Sequence, residues 1–168
     1  SLNSNKDEVI TVSNTAIPTI SAIESANCKP IFVEIDPQTY NMDISKIQEK
    51  ITSKTRAILP VNLYGQQIDI KRIREFNIPI VEDCAQSIGN SNHFSDIQCH
   101  SFYPTKNLGA LGDAGAITTN NDETAIKCKK IRVYGQEERY NHVIKGINSR
   151  MDEIQAAILR VKLKHISN

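Results

Sequence analysis

Residues 78–86 read Ile-Pro-Ile-Val-Glu-Asp-Cys-Ala-Gln and indicate the fold class. The first four residues are a compact apolar run of the kind that forms a short buried strand, and polar residues follow at once. Four further runs predict strands, at 30–35, 56–62, 97–102 and 114–119. Helices are predicted between and after them, at 15–25, 45–50, 69–75, 122–133 and from 152 onward. This alternation predicts an α/β fold with a mostly parallel sheet and flanking helices.

The ends of these helices carry their own signals. Asp43 or Ser45, and Asp122, are predicted N-caps, because short polar side chains accept hydrogen bonds from the first amides of a helix. The helix beginning at Asp152 has the clearest pattern, with apolar residues recurring on one face at 154, 157, 158 and 161.

Composition limits the classes of function. The 168 residues fit one domain, and 20 basic against 19 acidic residues give a net charge of +1. Neither nucleic acid nor a membrane is therefore an expected partner, and no apolar run is long enough to span a bilayer. The four cysteines have neither CxxC nor zinc-ribbon spacing. Reduced thiols, no metal site and a cytoplasmic location are expected.

Two carboxylates follow the strand predicted at 78–81. Glu82 and Asp83 stand at its carboxyl end, which is where ligands bind in open α/β sheets. Carboxylates there can equally cap a following helix. The pattern alone leaves a ligand site and a structural cap both open.

A lysine occupies a similar position after another predicted strand. Lys106 lies among small and apolar residues in the run 101–109. A partly desolvated lysine can form a Schiff base with a carbonyl, whereas an isolated lysine is ordinarily a surface residue. Glycines at 109, 112 and 115 match neither nucleotide-loop motif and are read as turn residues. A third polar stretch, 134–142, is by itself a solvated loop.

Taken together and in order, these segments resemble the DegT/DnrJ/EryC1/StrS family of sugar aminotransferases, which use pyridoxal 5′-phosphate (PLP). The resemblance implies the PLP-binding large domain of fold-type I aminotransferases. Residues 1–168 would form a single domain, the central part of that large domain, with no counterpart of the upstream segment or of the C-terminal small domain. The blocks that carry the resemblance are 7–10, 13–15, 29–36, 63–66, 82–86, 101–109 and 148–157.

The resemblance also implies roles for individual residues. Lys106 matches the lysine that holds PLP and moves the proton, and Asp83 matches the carboxylate that pairs with the pyridine nitrogen. Gln86 matches the amide donor to the ring hydroxyl oxygen, and Ser101 matches a phosphate ligand. Asn148 resembles a residue that reaches the phosphate from the neighbouring subunit, so a homodimer is expected.

The remaining implications concern substrate. Arg139, Tyr140 and His142 fall in the stretch that lies near the nucleotide sugar in relatives, and Ala16 stands where members usually carry a ring-stacking aromatic. The implied activity is transfer of an amino group from glutamate to a nucleotide-linked keto sugar, in polysaccharide or deoxyamino-sugar biosynthesis. The alternative is a catalytically incomplete fragment or homologue that acts as a binding or structural partner.

Overall fold

The computed structural model describes residues 7–89 and 94–166. The chain divides into two compact units, Ser1–Gln98 and Cys99–Asn168, and each is described by itself. The expectation of one domain over 1–168 stays a prediction.

The first unit is built on parallel strands. Strand β1 (Glu8–Val12) lies between β2 (Lys29–Val33) and β3 (Thr55–Ile58), and it pairs in parallel with both. Strand β4 (Val81–Asp83) comes next along the chain, and isolated parallel bridges join its region to that of β3. Parallel pairing of this kind agrees with the predicted α/β class.

Two helices and three short 3-10 turns are described in this unit, and the third of these turns is Leu63–Gly65. Helix α1 covers Ile17–Ser25 and α2 covers Ile70–Arg74, where Asp69 Oδ1 accepts from the amides of residues 71 and 72. The helix predicted at 45–50 was wrong in type, since the turns Ile44–Lys46 and Gln48–Lys50 replace it. Asp43 does cap the first turn, and hydrogen bonding to Ser45 lowers the pKa of its carboxyl.

The core of the first unit consists mainly of isoleucines. Side chains from β1, β3 and the segments beside α2 and β4 pack into one cluster, and its completely buried members are Ile10, Ile47, Ile58, Ile73 and Ile80. Ile80 directly precedes β4, so the cluster anchors the chain at the point where β4 begins.

The second unit begins at Cys99, within strand β5 (Ile97–Ser101). It contains β6 (Gly115–Thr118), α3 (Asp122–Ile131), the antiparallel pair β7 (Gln136–Glu138) and β8 (Asn141–His142), and α4 (Glu153–Lys162). The predicted cap Asp122 was wrong, because Asn121 Oδ1 accepts from Thr124 N at 2.8 Å one residue earlier. The stretch 134–142 forms a hairpin where a loop was predicted.

None of the helices within 7–89 and 94–166 combines the length and the apolar character that crossing a bilayer requires.

Candidate active site

Asp83 ends β4, and both oxygens of its carboxylate are held in place. Oδ1 accepts from Ala85 N at 3.0 Å, and Oδ2 accepts from Thr19 Oγ1 at 2.8 Å. Its main chain pairs with the residues after β3, through Asp83 N to Pro60 O and Asn62 N to Asp83 O. A carboxylate oxygen has two lone pairs, so each retains one for a ligand donor. The described residues after β4 form a turn as far as Gly89, so Asp83 does not cap a helix there.

Glu82 is completely buried and bound to protein groups alone. Asn62 Nδ2 donates to its Oε1 at 2.7 Å, while Ser95 Oγ and Gln98 Nε2 donate to its Oε2 at 2.7 and 2.9 Å. Successive side chains of a strand point to opposite faces, which separates Glu82 from Asp83. The two carboxylates therefore differ in role, since Glu82 is structural and Asp83 retains acceptor capacity.

Gln86 lies on the turn that follows β4, and its amide is oriented. Tyr64 N donates to Gln86 Oε1 at 2.7 Å, and among the described residues the NH₂ group of Gln86 has no acceptor, so it is available as a donor. The main-chain N–H of Tyr64 belongs to the 3-10 turn at residues 63–65. This turn requires positive φ angles, 57° at Tyr64 and 79° at Gly65. A Cβ at Gly65 would also lie 3.3 Å from Gln86 O.

Cys84, between these residues, is an unreactive thiol. It is 1% exposed, and burial raises its pKa from 9.0 to about 12, with the nearby Glu82 carboxylate as the second cause. Because the thiolate is the nucleophilic form, Cys84 is excluded as a nucleophile near neutral pH.

Ser101 and Lys106 lie on one segment of the second unit. Ser101 ends β5, and its Oγ accepts from Tyr103 N at 3.3 Å. The chain then folds tightly, with Lys106 N donating to Tyr103 O at 2.9 Å and Ala110 N donating to Phe102 O at 2.8 Å. The Lys106 side chain is half-buried, and within the described part of its own unit its ammonium has no hydrogen bond or ion pair.

Asn148 is exposed and lies close to main chain of the same unit. It forms an antiparallel bridge with Val133, and its Oδ1 accepts from Arg150 Nε at 3.0 Å. Its amide NH₂ has no hydrogen bond to another of the described residues. Its role across a subunit interface stays a prediction.

The residues expected near substrate lie on the hairpin. The Arg139 guanidinium sits 5.2 Å from the ring centre of Tyr140, which is 80% exposed. His142 Nδ1 is 3.0 Å from Tyr134 O, a pairing that requires the proton on Nδ1. The three side chains form an exposed polar surface, and their contact with substrate stays a prediction.

The structure thus places Asp83 at the end of β4 and Gln86 on the turn that directly follows it in the first unit, and it places Ser101 and Lys106 on one segment of the second. It adds Thr19, which sequence reasoning missed. Thr19 is separated from Asp83 by 64 positions, and nothing in the local pattern of residues 15–25 indicates a polar partner. Within the described residues, no group of three or more His, Cys, Asp or Glu is arranged to hold a metal ion.

These residues fit PLP by their chemistry. A protonated ring nitrogen needs an acceptor, which Asp83 provides with its remaining lone pairs. A ring hydroxyl oxygen needs a donor, which the oriented NH₂ of Gln86 provides. The aldehyde carbonyl of PLP needs an amine that is not paired with a carboxylate. Lys106 is such an amine, because no carboxylate pairs with it among the described residues of its own unit.

Comparison with known proteins decides the family. The model of the DegT/DnrJ/EryC1/StrS aminotransferase family matches residues 2–168. The chain belongs to this family. It is 46% identical to a pleiotropic regulatory protein of Geobacillus stearothermophilus and 46% identical to dTDP-3-amino-3,4,6-trideoxy-alpha-D-glucose transaminase of Micromonospora megalomicea subsp. nigra. Each match covers 95% of the chain and 46% of the relative.

A solved structure confirms the α/β fold class. The crystal structure of NtdA from Bacillus subtilis with bound cofactor PMP matches with a TM-score of 0.93 and 40% identity, over 99% of this chain and 40% of that one. The chain therefore spans about half the length of the family members it matches, or less. The predicted family and the predicted resemblance to the PLP-binding architecture are confirmed.

Proposed function

We propose that the natural protein carrying these residues is a PLP-dependent aminotransferase that transfers an amino group from glutamate to a nucleotide-linked keto sugar. The observation that carries the proposal is the Asp83 carboxylate, which two protein donors hold in place while each oxygen keeps acceptor capacity. Family membership supports the same activity.

The chain's own residues divide the work. PLP, when bound, supplies an electron sink for reactions at an amino-bearing carbon. Asp83 would bind the ring nitrogen and keep its proton there, because a charge-assisted hydrogen bond favours the protonated ring. Gln86 would donate to the ring hydroxyl oxygen and orient the ring. Lys106 would hold the cofactor and move the proton at the reacting carbon, while Ser101 and Asn148 would bind the phosphate.

A nucleotide sugar is the proposed amino acceptor. The transaminase from Micromonospora named above has a dTDP-linked sugar in its name and shares nearly half of its aligned residues with this chain. The hairpin offers a guanidinium, a phenol and an imidazole at one exposed surface, groups that can bind a diphosphate and sugar hydroxyls. Arg139, Tyr140 and His142 are therefore the proposed substrate contacts.

A homodimer in the cytoplasm completes the proposal. Asn148 is exposed, and its NH₂ group is available to a neighbouring subunit, as the resemblance implies. The nearly balanced charge of the chain gives it no general attraction to anionic surfaces.

The test is an assay of the complete natural protein with PLP, glutamate and a panel of dTDP- and UDP-linked 3-keto and 4-keto sugars. Formation of 2-oxoglutarate and of the amino sugar is followed together. Asp83→Asn is expected to lower kcat by about a hundredfold or more, whereas Asp122→Asn, an exposed acid at the start of α3, should be unchanged. PLP binding without amination of any keto sugar would contradict the substrate class, and an unchanged kcat for Asp83→Asn would contradict the site.

A further inference from the structure

Thr19 is a buried hydroxyl with one charged partner. It is 6% exposed, it lies in the first turn of α1, and its Oγ1 is 2.8 Å from Asp83 Oδ2. An ionised carboxylate can only accept, so the Thr19 hydroxyl donates to it. Its one proton is then committed to Asp83, although helix α1, which carries Thr19, and strand β4, which carries Asp83, are distant in sequence.

A second hydroxyl fixes the direction of this arrangement. Thr15 Oγ1 lies 2.8 Å from Thr19 Oγ1. Because the proton of Thr19 is already donated, Thr15 must be the donor in the second bond. The result is a one-way chain from Thr15 to Thr19 to Asp83, and donors in such a chain strengthen one another.

The hydrogen bonds from Thr15 to Thr19 and from Thr19 to Asp83 restrain the carboxylate before any ligand is present. Rotation of the Asp83 carboxylate about its side chain would break both the bond from Thr19 and the bond from Ala85 N. Thr19 is itself stiff, since a β-branched side chain in a helix has few rotamers, and its burial removes alternatives. A preorganised group loses less entropy when its ligand binds.

We propose that Thr19 is a positioning residue for Asp83, setting both the orientation and the charge distribution of the carboxylate that receives the cofactor ring. This inference rests on the proposed function, because it assigns Thr19 a role toward the same PLP site. A purely structural Thr19 would support helix α1 and leave the properties of bound PLP unchanged.

Thr19→Val tests the role, since valine keeps the branched shape and removes the donor. The complete natural protein is expected to lose about tenfold in kcat, the size associated with a hydrogen bond to a charged group, with KM for glutamate within about twofold of wild type. Thr19→Ser retains a hydroxyl and should restore kcat. PLP should bind Thr19→Val more weakly, as measured by fluorescence titration.

The decisive readout is spectroscopic and needs no turnover. The visible absorbance of protein-bound PLP is titrated with pH in each variant. Removing a donor concentrates negative charge on Asp83, which favours the protonated cofactor, so the midpoint in Thr19→Val should move to higher pH. Thr15→Val should move it in the same direction by less, because it removes only the donor to Thr19.

Thr11→Val is the matched control. Thr11 is fully buried in β1 of the same unit, and its hydroxyl donates to a main-chain acceptor, Leu59 O, at 2.8 Å. Thr11→Val removes a buried hydroxyl donor, as Thr19→Val does, but this donor does not contact Asp83. The kcat and the titration midpoint of Thr11→Val should therefore match those of wild type, even if this variant is less stable.

The outcomes separate the two hypotheses. Midpoints equal to wild type in both Thr19→Val and Thr15→Val would overturn the positioning role, and so would an equal shift in Thr11→Val. If Thr19→Val fails to fold, Thr15→Val decides by the same criterion. In these cases an active wild type, together with an impaired Asp83→Asn, leaves the proposed function standing. Failure of the wild type to bind PLP overturns the proposed function, and this inference falls with it.

Discussion

Asn62 Nδ2 donates to Glu82 Oε1 at 2.7 Å, and both side chains are at least 99% buried. The same amide nitrogen also lies 3.3 Å from Ser87 Oγ, and Asn62 Oδ1 accepts from Ile68 N at 3.1 Å. Asn62 follows β3 and Glu82 lies in β4, so one buried pair links the two strand ends. Because Ser87 directly follows Gln86 on the turn after β4, the pair also supports that turn.

Replacement of Glu82 by Gln is expected to destabilise the protein by about 2–4 kcal/mol. All three partners of Glu82 donate to it, so an amide NH₂ at either oxygen position faces another donor. Urea unfolding of the complete natural protein measures the effect. Glu24→Gln, at an exposed position on α1, is the control and should change stability by less than about 0.5 kcal/mol. Equal unfolding midpoints for the two variants would contradict a structural role for Glu82.

Cys84 is expected to resist alkylation in the folded protein. Its thiol is 1% exposed and its pKa is raised to about 12 by burial, so accessible thiolate is absent near pH 8. Iodoacetamide labelling with peptide mass spectrometry should modify the half-buried Cys28 first and Cys84 only after urea is added. Labelling of Cys84 in the native protein at the rate of Cys28 would contradict the buried assignment.

The same thiol predicts a loss of stability at high pH. The unfolded thiol loses its proton above about pH 9, while the folded one retains it up to about pH 12. The folded state therefore binds more protons in this window, and the free energy of unfolding should fall by up to about 1.4 kcal/mol per pH unit from this group. Cys84→Ala removes the effect. The free energy of unfolding in urea is measured for wild type and for Cys84→Ala at several values between pH 8 and pH 10. The difference between the two should fall as the pH rises, and a difference that does not change with pH would contradict the raised pKa of Cys84.

Gly109→Ala should disturb the segment that carries Lys106. A Cβ at Gly109 would lie 2.3 Å from Pro104 O, a main-chain atom that can move only with the turn itself. Weaker PLP binding and a destabilisation of about 1–3 kcal/mol are expected. Gly112→Ala is the control, because its Cβ would meet only the end of the flexible Gln155 side chain. PLP affinity that is equal in the two variants would show that this turn does not position Lys106.

Most strands with an apolar pattern could be predicted from the sequence, but β1 (Glu8–Val12) was missed. The strands expected at 97–102 and 114–119 are observed as Ile97–Ser101 and Gly115–Thr118. The strand expected at 78–81 lies instead at Val81–Asp83. Pro79 has no amide proton to give to a neighbouring strand, which weakens pairing before residue 81.

The polar parts of the structure were harder to predict. The hairpin of β7 and β8 lacks alternating apolar residues, so its pattern is that of a loop. The bond from Thr19 to Asp83 joins two segments that only the tertiary fold brings together. The residue pattern makes Lys106 and Asp83 candidates but leaves ordinary structural roles open for both, and only the family resemblance implies their roles toward PLP.

Covalent trapping of the cofactor tests the central claim most directly. The complete natural protein is loaded with PLP, reduced with borohydride and digested, and the modified peptide is identified by mass spectrometry. A free amine is required. Among the described residues of its unit Lys106 has no partner, whereas Lys162 Nζ donates to Gly109 O at 2.6 Å. The account predicts one label per chain, on Lys106, and none on Lys162. A label on another lysine, with PLP bound in full, would contradict it.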